Sequence, residues 1–134
     1  MKGKVSQELV FHRLEQAKED LRTSKLLHRE QIYKAANNRA YYSIFHAIRS
    51  ILALEPIDFK RHKDVIAYFN QNYVNTEIFP RSMGRRIARA NQVREDSDYD
   101  DEFTVDPDNT LVQIQTAEDL IKLVEEYINN KLSK

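Results

Sequence analysis

The sequence predicts an all-α fold, an up-and-down bundle of four to five helices in one domain. Three observations lead there. The 134 residues include only two Gly and three Pro, too few turn formers for a β-rich chain. Apolar residues recur at three- and four-residue steps along most of the chain instead of alternating. Charged residues make up 31% and gather between those apolar positions, as on helices with solvated outer faces. The length suits one domain, 1–134, with a core spanning about 6–130.

Residues 1–5 read as a loose end, and Ser6 as the cap of a first helix running to about Arg29. Val10, Leu14, Ala17, Leu21, Ser24 and His28 recur at 4-3-4-3-4 spacing, a stripe suited to packing on another helix. Lys18, Glu19, Asp20, Arg22 and Lys25 are assigned to the outer side. His28, near the helix end, reads as structural, its imidazole meeting terminal carbonyls. A very short link then makes the second helix an antiparallel neighbour of the first.

The second helix, from near Gln31 to Leu54, is the predicted centre of the domain. It has no Gly or Pro, and Pro56 ends it. On a wheel, Ala36, Ala40, Ile44, Ala47, Ile48, Ile51 and Leu54 form one broad face. Arg39, Ser43, His46 and Ser50 form a narrow strip opposite, flanked by Asn38, Tyr42 and Arg49. More than half of the circumference is apolar, so this should be the most buried helix.

After a loop at 57–61, positions 62–75 read as a third helix that buries Val65, Ile66, Tyr68, Phe69, Tyr73 and Val74, with His62 as a surface or capping residue. A fourth helix over 81–99 carries Arg81, Arg85 and Arg89 at four-residue steps, then an acidic block beginning at Glu95. Such blocks are usually solvated or pair with each other; a basic ridge also attracts phosphates, which makes Arg85 and Arg89 candidate phosphate contacts. Asp106-Pro107 starts a fifth helix that runs to about Asn130.

Composition narrows the function classes. The formal charge is zero, 21 basic against 21 acidic residues, so any nucleic-acid contact must be local. Cysteine is absent, which removes disulfides, thiol nucleophiles and Cys-based zinc sites. No cofactor or metal is expected, because neither a carboxylate cluster nor a phosphate-binding loop is evident. The first residues lack an apolar leader and no stretch reaches membrane-span length. The expectation is a cytoplasmic protein with no membrane partner.

Arg39 and His46 are the candidate catalytic pair. Seven positions bring a helix back to nearly the same azimuth, roughly 10 Å further along. A fixed cation and an imidazole aimed at one spot suit a phosphodiester: the first holds charge, the second moves a proton. The competing reading is simply the polar side of an amphipathic helix.

Three stretches, taken together, carry a family resemblance: Arg13-Leu14-Glu15-Gln16-Ala17-Lys18-Glu19-Asp20-Leu21; Asn38-Arg39-Ala40-Tyr41-Tyr42-Ser43-Ile44-Phe45-His46-Ala47; and Arg94-Glu95-Asp96-Ser97-Asp98-Tyr99, followed by a helix with Thr116-Ala117-Glu118-Asp119-Leu120-Ile121. Over roughly 8–130 the chain resembles the HEPN domain (higher eukaryotes and prokaryotes nucleotide-binding) in its small stand-alone prokaryotic form. The Tyr-Tyr-x-x-Phe-His and Arg-x-x-x-Asp-Tyr runs are specific as a pair. The resemblance implies a helical bundle that commonly forms homodimers. In many members it implies a metal-independent endoribonuclease with an Arg and a His four to six residues apart, here Arg39 and His46. Asn38, Tyr42 and Ser43 would then orient the RNA or stack a base. Some relatives are toxins partnered by a nucleotidyltransferase-like antitoxin. Others have lost the pair and act as binding or scaffold modules for a nucleotide or a protein. A departure is Ala40, where active members often carry a polar residue. On the scaffold reading Arg94 and Asp98 pair along the helix while Tyr99 packs its ring.

Overall fold

The computed structural model describes residues 6–133; the loose end expected at 1–5 lies outside them. The chain forms α1 (Gln7–Arg29), α2 (Tyr33–Leu52), α3 (His62–Phe69), α4 (Arg81–Tyr99) and α5 (Pro107–Leu132), with a π-helical turn at Asn70–Val74 continuing α3. No strand occurs among the described residues. The predicted all-α bundle is the observed one. Ser6 caps α1 through its hydroxyl, which accepts from the Leu9 amide at 3.2 Å. Asp106 caps α5 by accepting from the Asp108 amide at 2.7 Å.

α2 is the axle of the bundle and packs against α1, α3, α4 and α5. Ala36, Ala40, Ala47, Ile48, Ile51 and Leu52 are fully buried. α1 runs antiparallel to both α2 and α5. On the α5 side Lys18 pairs with Glu125 and, about two turns further on, Lys25 with Glu118. His28 closes that end, its Nε2 lying 3.2 Å from the Pro107 carbonyl, the structural role the sequence suggested.

The α1–α2 link is a Schellman turn without glycine. The Ile32 amide donates to the Leu27 carbonyl and the Gln31 amide to that of His28. Gln31 itself takes φ 64°, the left-handed region. The predicted third helix is shorter than expected, because 70–74 widen into an i→i+5 turn, with the Asn75 amide on the Asn70 carbonyl. The wider turn winds less per residue and keeps both Tyr73 and Val74 on the buried side. Gly84 lets α4 approach that turn: a Cβ there would stand 3.1 Å from the Val74 side chain.

The polar strip of α2 faces α1, with Ser43 and Ser50 fully buried and the Arg39 side chain 39% exposed. On α1 the matching stripe is Arg13, Ala17, Asp20 and Ser24, all buried, with Asp20 among them and not on the outer side. Small residues let the two helices approach, and hydroxyls fill the seam: Ser43 donates to the Ala17 carbonyl at 2.7 Å and Ser24 to that of Ala36 at 2.6 Å. Tyr99 also departs from expectation: it is 83% exposed, so its ring is not buried against the bundle. Arg94 does meet Asp98, at 3.4 Å.

Because Gln31 occupies a backbone region that favours glycine, Gln31→Gly should raise stability by about 0.5–1 kcal/mol. Urea denaturation of the two proteins, read at a shared slope, measures it.

Candidate functional site

The α1–α2 seam is closed by serine hydroxyls in its middle and by a carboxylate beside them. Asp20 projects from α1 between the two candidate residues of α2. Arg39 Nη1 donates to Asp20 Oδ1 at 3.1 Å, and His46 Nε2 lies 3.7 Å from Asp20 Oδ2. The seven-residue spacing therefore brings Arg39 and His46 to the two oxygens of one buried carboxylate. Their exposures differ: the Arg39 side chain is 39% open, that of His46 15%. The Arg39 guanidinium also sits over the Tyr42 ring, 5.0 Å from its centroid. Asp20 takes one of its five donors, so a guanidinium fixed by a carboxylate and a ring still turns other N–H groups outward.

His46 is neutral at physiological pH. Burial, then the charges of Arg49, Arg39, Arg13 and His62, push it down to about 4. The 3.7 Å approach to Asp20 is therefore no ion pair at neutral pH. Burial raises the Asp20 carboxyl, and Arg39 opposes the rise. Asp20 Oδ2 and His46 Nδ1 are both buried without a hydrogen-bond partner, so the seam carries unmet hydrogen-bonding capacity at both members of the contact.

An aromatic wall stands beside the pair. His62 stacks on Phe45 with centroids 3.9 Å apart, and its Nδ1 lies 3.0 Å from the Tyr41 hydroxyl. It is thus part of this wall, not the surface or capping residue suggested by its place at a helix start. Arg94 lies over the Tyr41 ring, its guanidinium 4.5 Å from the centroid. Burial pushes the Tyr41 hydroxyl up to about 12, against the pull of Arg94, so Tyr41 stays a phenol. On the loop side of His46, Arg13 donates to the Arg49 carbonyl at 3.0 Å. Both guanidiniums reach Asp58 Oδ2, Arg49 at 2.7 Å and Arg13 at 3.4 Å. Burial raises the Asp58 carboxyl, but the Arg49 bond, the Phe59 amide and the two arginine charges hold it below the usual range.

The remaining candidates separate. Asn38 and Tyr42 are half-buried neighbours of Arg39 on α2. Ser43, a candidate for orienting RNA, is fully buried and committed to Ala17. Arg85 and Arg89 are exposed on α4, and Arg89 bonds Asn109 of α5 at 2.8 Å. The basic ridge is largely paired: Arg81 with Glu77, Arg86 with Asp119.

A family model for the HEPN domain matches residues 11–130. The chain belongs to the HEPN domain family. A UPF0332 protein of Thermotoga maritima is 28% identical over 114 residues, 85% of this chain and 86% of its own. Two proteins of Methanocaldococcus jannaschii, each named as a candidate toxin, are also similar. The first is 34% identical over 86 residues, 64% of either chain; the second is 23% identical over 118 residues, 88% of this chain and 80% of its own. No helix of this HEPN chain, among the described residues, is long and apolar enough to cross a membrane.

Sequence reasoning missed Asp20, Arg13, Asp58 and His62 as neighbours of the pair. A signal for the first two existed: Arg13, Ala17, Asp20 and Ser24 repeat at 4-3-4 spacing, the same steps as Arg39, Ser43, His46 and Ser50. Asp58 and His62 lie in and after a loop, where no periodicity places a side chain.

The depressed His46 value sets a pH dependence. Unfolded imidazole takes a proton near 6.5, while the folded one resists until about 4. The stability that a neutral His46 contributes is complete above 6.5 and is lost as pH falls through this window, by up to about 3 kcal/mol. His62, lowered by burial, Arg94 and Arg49, acts in the same direction. Melting temperature should fall from pH 7 to pH 4.5, and His46→Gln should flatten much of that fall.

Proposed function

We propose that this HEPN protein is a metal-independent endoribonuclease, acting as the toxin of a toxin–antitoxin pair. The observation that carries the reading is the convergence of Arg39 and His46 on one carboxylate at a partly open seam. A guanidinium pinned by Asp20 and Tyr42 is preorganised for a phosphodiester, and the neutral His46 can take a proton once a phosphate at Arg39 offsets the arginine charges that hold its basicity down. In the proposed step His46 takes the proton of the ribose 2′-hydroxyl. The 2′-oxygen attacks phosphorus and the bond to the 5′-oxygen breaks. The leaving oxygen takes a proton from solvent, giving a cyclic phosphate and a 5′-hydroxyl. Arg39 offsets charge on the phosphoryl oxygens. Tyr42 and Asn38 flank the strand. The names of the methanogen relatives support a toxin role. Family habit supports a homodimer and a nucleotidyltransferase-like antitoxin partner.

Purified protein should cleave unstructured RNA in excess chelator, and His46→Ala should lower the rate at least about 100-fold. Equal cleavage by both proteins would sink the proposal. A second reading, a binding scaffold, is favoured by the engagement of Arg39 with Asp20 in the isolated chain. It is separated by Arg39→Ala: a scaffold loses its partner complex, whereas a nuclease loses cleavage with the complex intact.

A further inference from the structure

Three guanidiniums act on the His46 ring, those of Arg49, Arg39 and Arg13. Two carboxylates, Asp20 and Asp58, answer them. Counted over these five side chains, with His46 neutral, positive charge exceeds negative by one. The cations are also sorted. Arg39 is held by Asp20 on one side of His46, and Arg49 with Arg13 by Asp58 on the other. Arg39 and Arg49 are ten residues apart on α2, roughly 15 Å along the axis. With each anchored to its own carboxylate, a single phosphodiester cannot occupy both.

We propose that Arg49, backed by Arg13, is a second phosphate subsite, holding the backbone of a single-stranded RNA one or more nucleotides away from the phosphate at Arg39. This rests on the ribonuclease reading for the identity of the strand. Asp58 is the resident anion of the subsite. Its carboxylate is 45% exposed and sits on the loop between α2 and α3, whereas the Arg13 side chain is 11% exposed and that of Arg49 26%. The carboxylate is the more accessible partner, and a phosphate arriving from solvent can replace it while Arg13 stays tied to the Arg49 carbonyl. Arg13 fixes the geometry; Arg49 makes the contact. A phosphate at each arginine would also draw the strand across His46, which lies between them in the α2 sequence.

The test measures anisotropy of a short, uncleavable 2′-O-methyl oligonucleotide against wild type, Arg49→Ala and Asp58→Asn across a salt series. Arg49→Ala should weaken binding about tenfold and lower the salt slope by about 1. Asp58→Asn should tighten binding several-fold, because it removes the competing anion. Both variants lose the same loop anchor, so a purely structural role would move binding in the same direction in both, and that result overturns the proposal. A dinucleotide with a single phosphodiester should bind wild type and Arg49→Ala alike. Failure of wild type to bind any oligonucleotide also overturns it. The two readings separate cleanly. If wild type cleaves RNA but Arg49→Ala keeps its KM and salt slope, the subsite is overturned and the nuclease stands. If the binding shifts have opposite signs without any cleavage, the subsite stands and the nuclease falls.

Discussion

The structure depends on a buried aspartate wedged between two helices. Asp20 sits in the α1–α2 seam, 7% exposed, and a lone carboxylate there would be costly. Arg39 makes it tolerable by a charge-assisted hydrogen bond at 3.1 Å. The remaining oxygen has no such partner, and the nearest candidate, His46, is neutral. The carboxylate is therefore half satisfied, and its free valence points at the imidazole. A fully satisfied pair would be inert. Here the seam holds the two candidate side chains, Arg39 and His46, in register and leaves His46 Nδ1 without a partner.

The helices can come close enough for this because of small residues. Ala17 and Ser24 on α1 face Ala36 and Ser43 on α2, and each serine gives its hydroxyl to a carbonyl across the gap. Those bonds satisfy polar groups that burial would otherwise penalise. They also set the longitudinal register of the two helices, so that Asp20 arrives between Arg39 and His46. The Schellman turn at Gln31 sets the same register from the end of the hairpin.

Charge is concentrated around one ring and nearly balanced elsewhere. The arginines of α4 are mostly matched by acidic or amide groups on their own helix or α5. Those around His46 outnumber their carboxylates. A chain with zero formal charge thus gathers an excess of arginine beside a ring cluster in which Tyr41 and Phe45 are buried and Tyr42 and His62 half-buried.

The sequence by itself determined the helices, their order, the caps at Ser6 and Asp106, and α2 as the central element. These follow from local rules, namely periodicity, capping chemistry and the placement of Pro and Gly. It also placed Arg39 and His46 on one azimuth, since helical geometry alone requires that. Tertiary structure decided what that azimuth faces. A wheel shows that a strip is polar, not whether solvent or a second polar helix lies opposite, and here the partner is the Arg13–Ser24 stripe of α1. The wheel gave no place to Asp58 and His62, because loops carry no period; only packing brings them beside the imidazole. The π turn likewise has no periodic signature, arising where keeping Tyr73 and Val74 inside requires a slower winding than an α-helix gives.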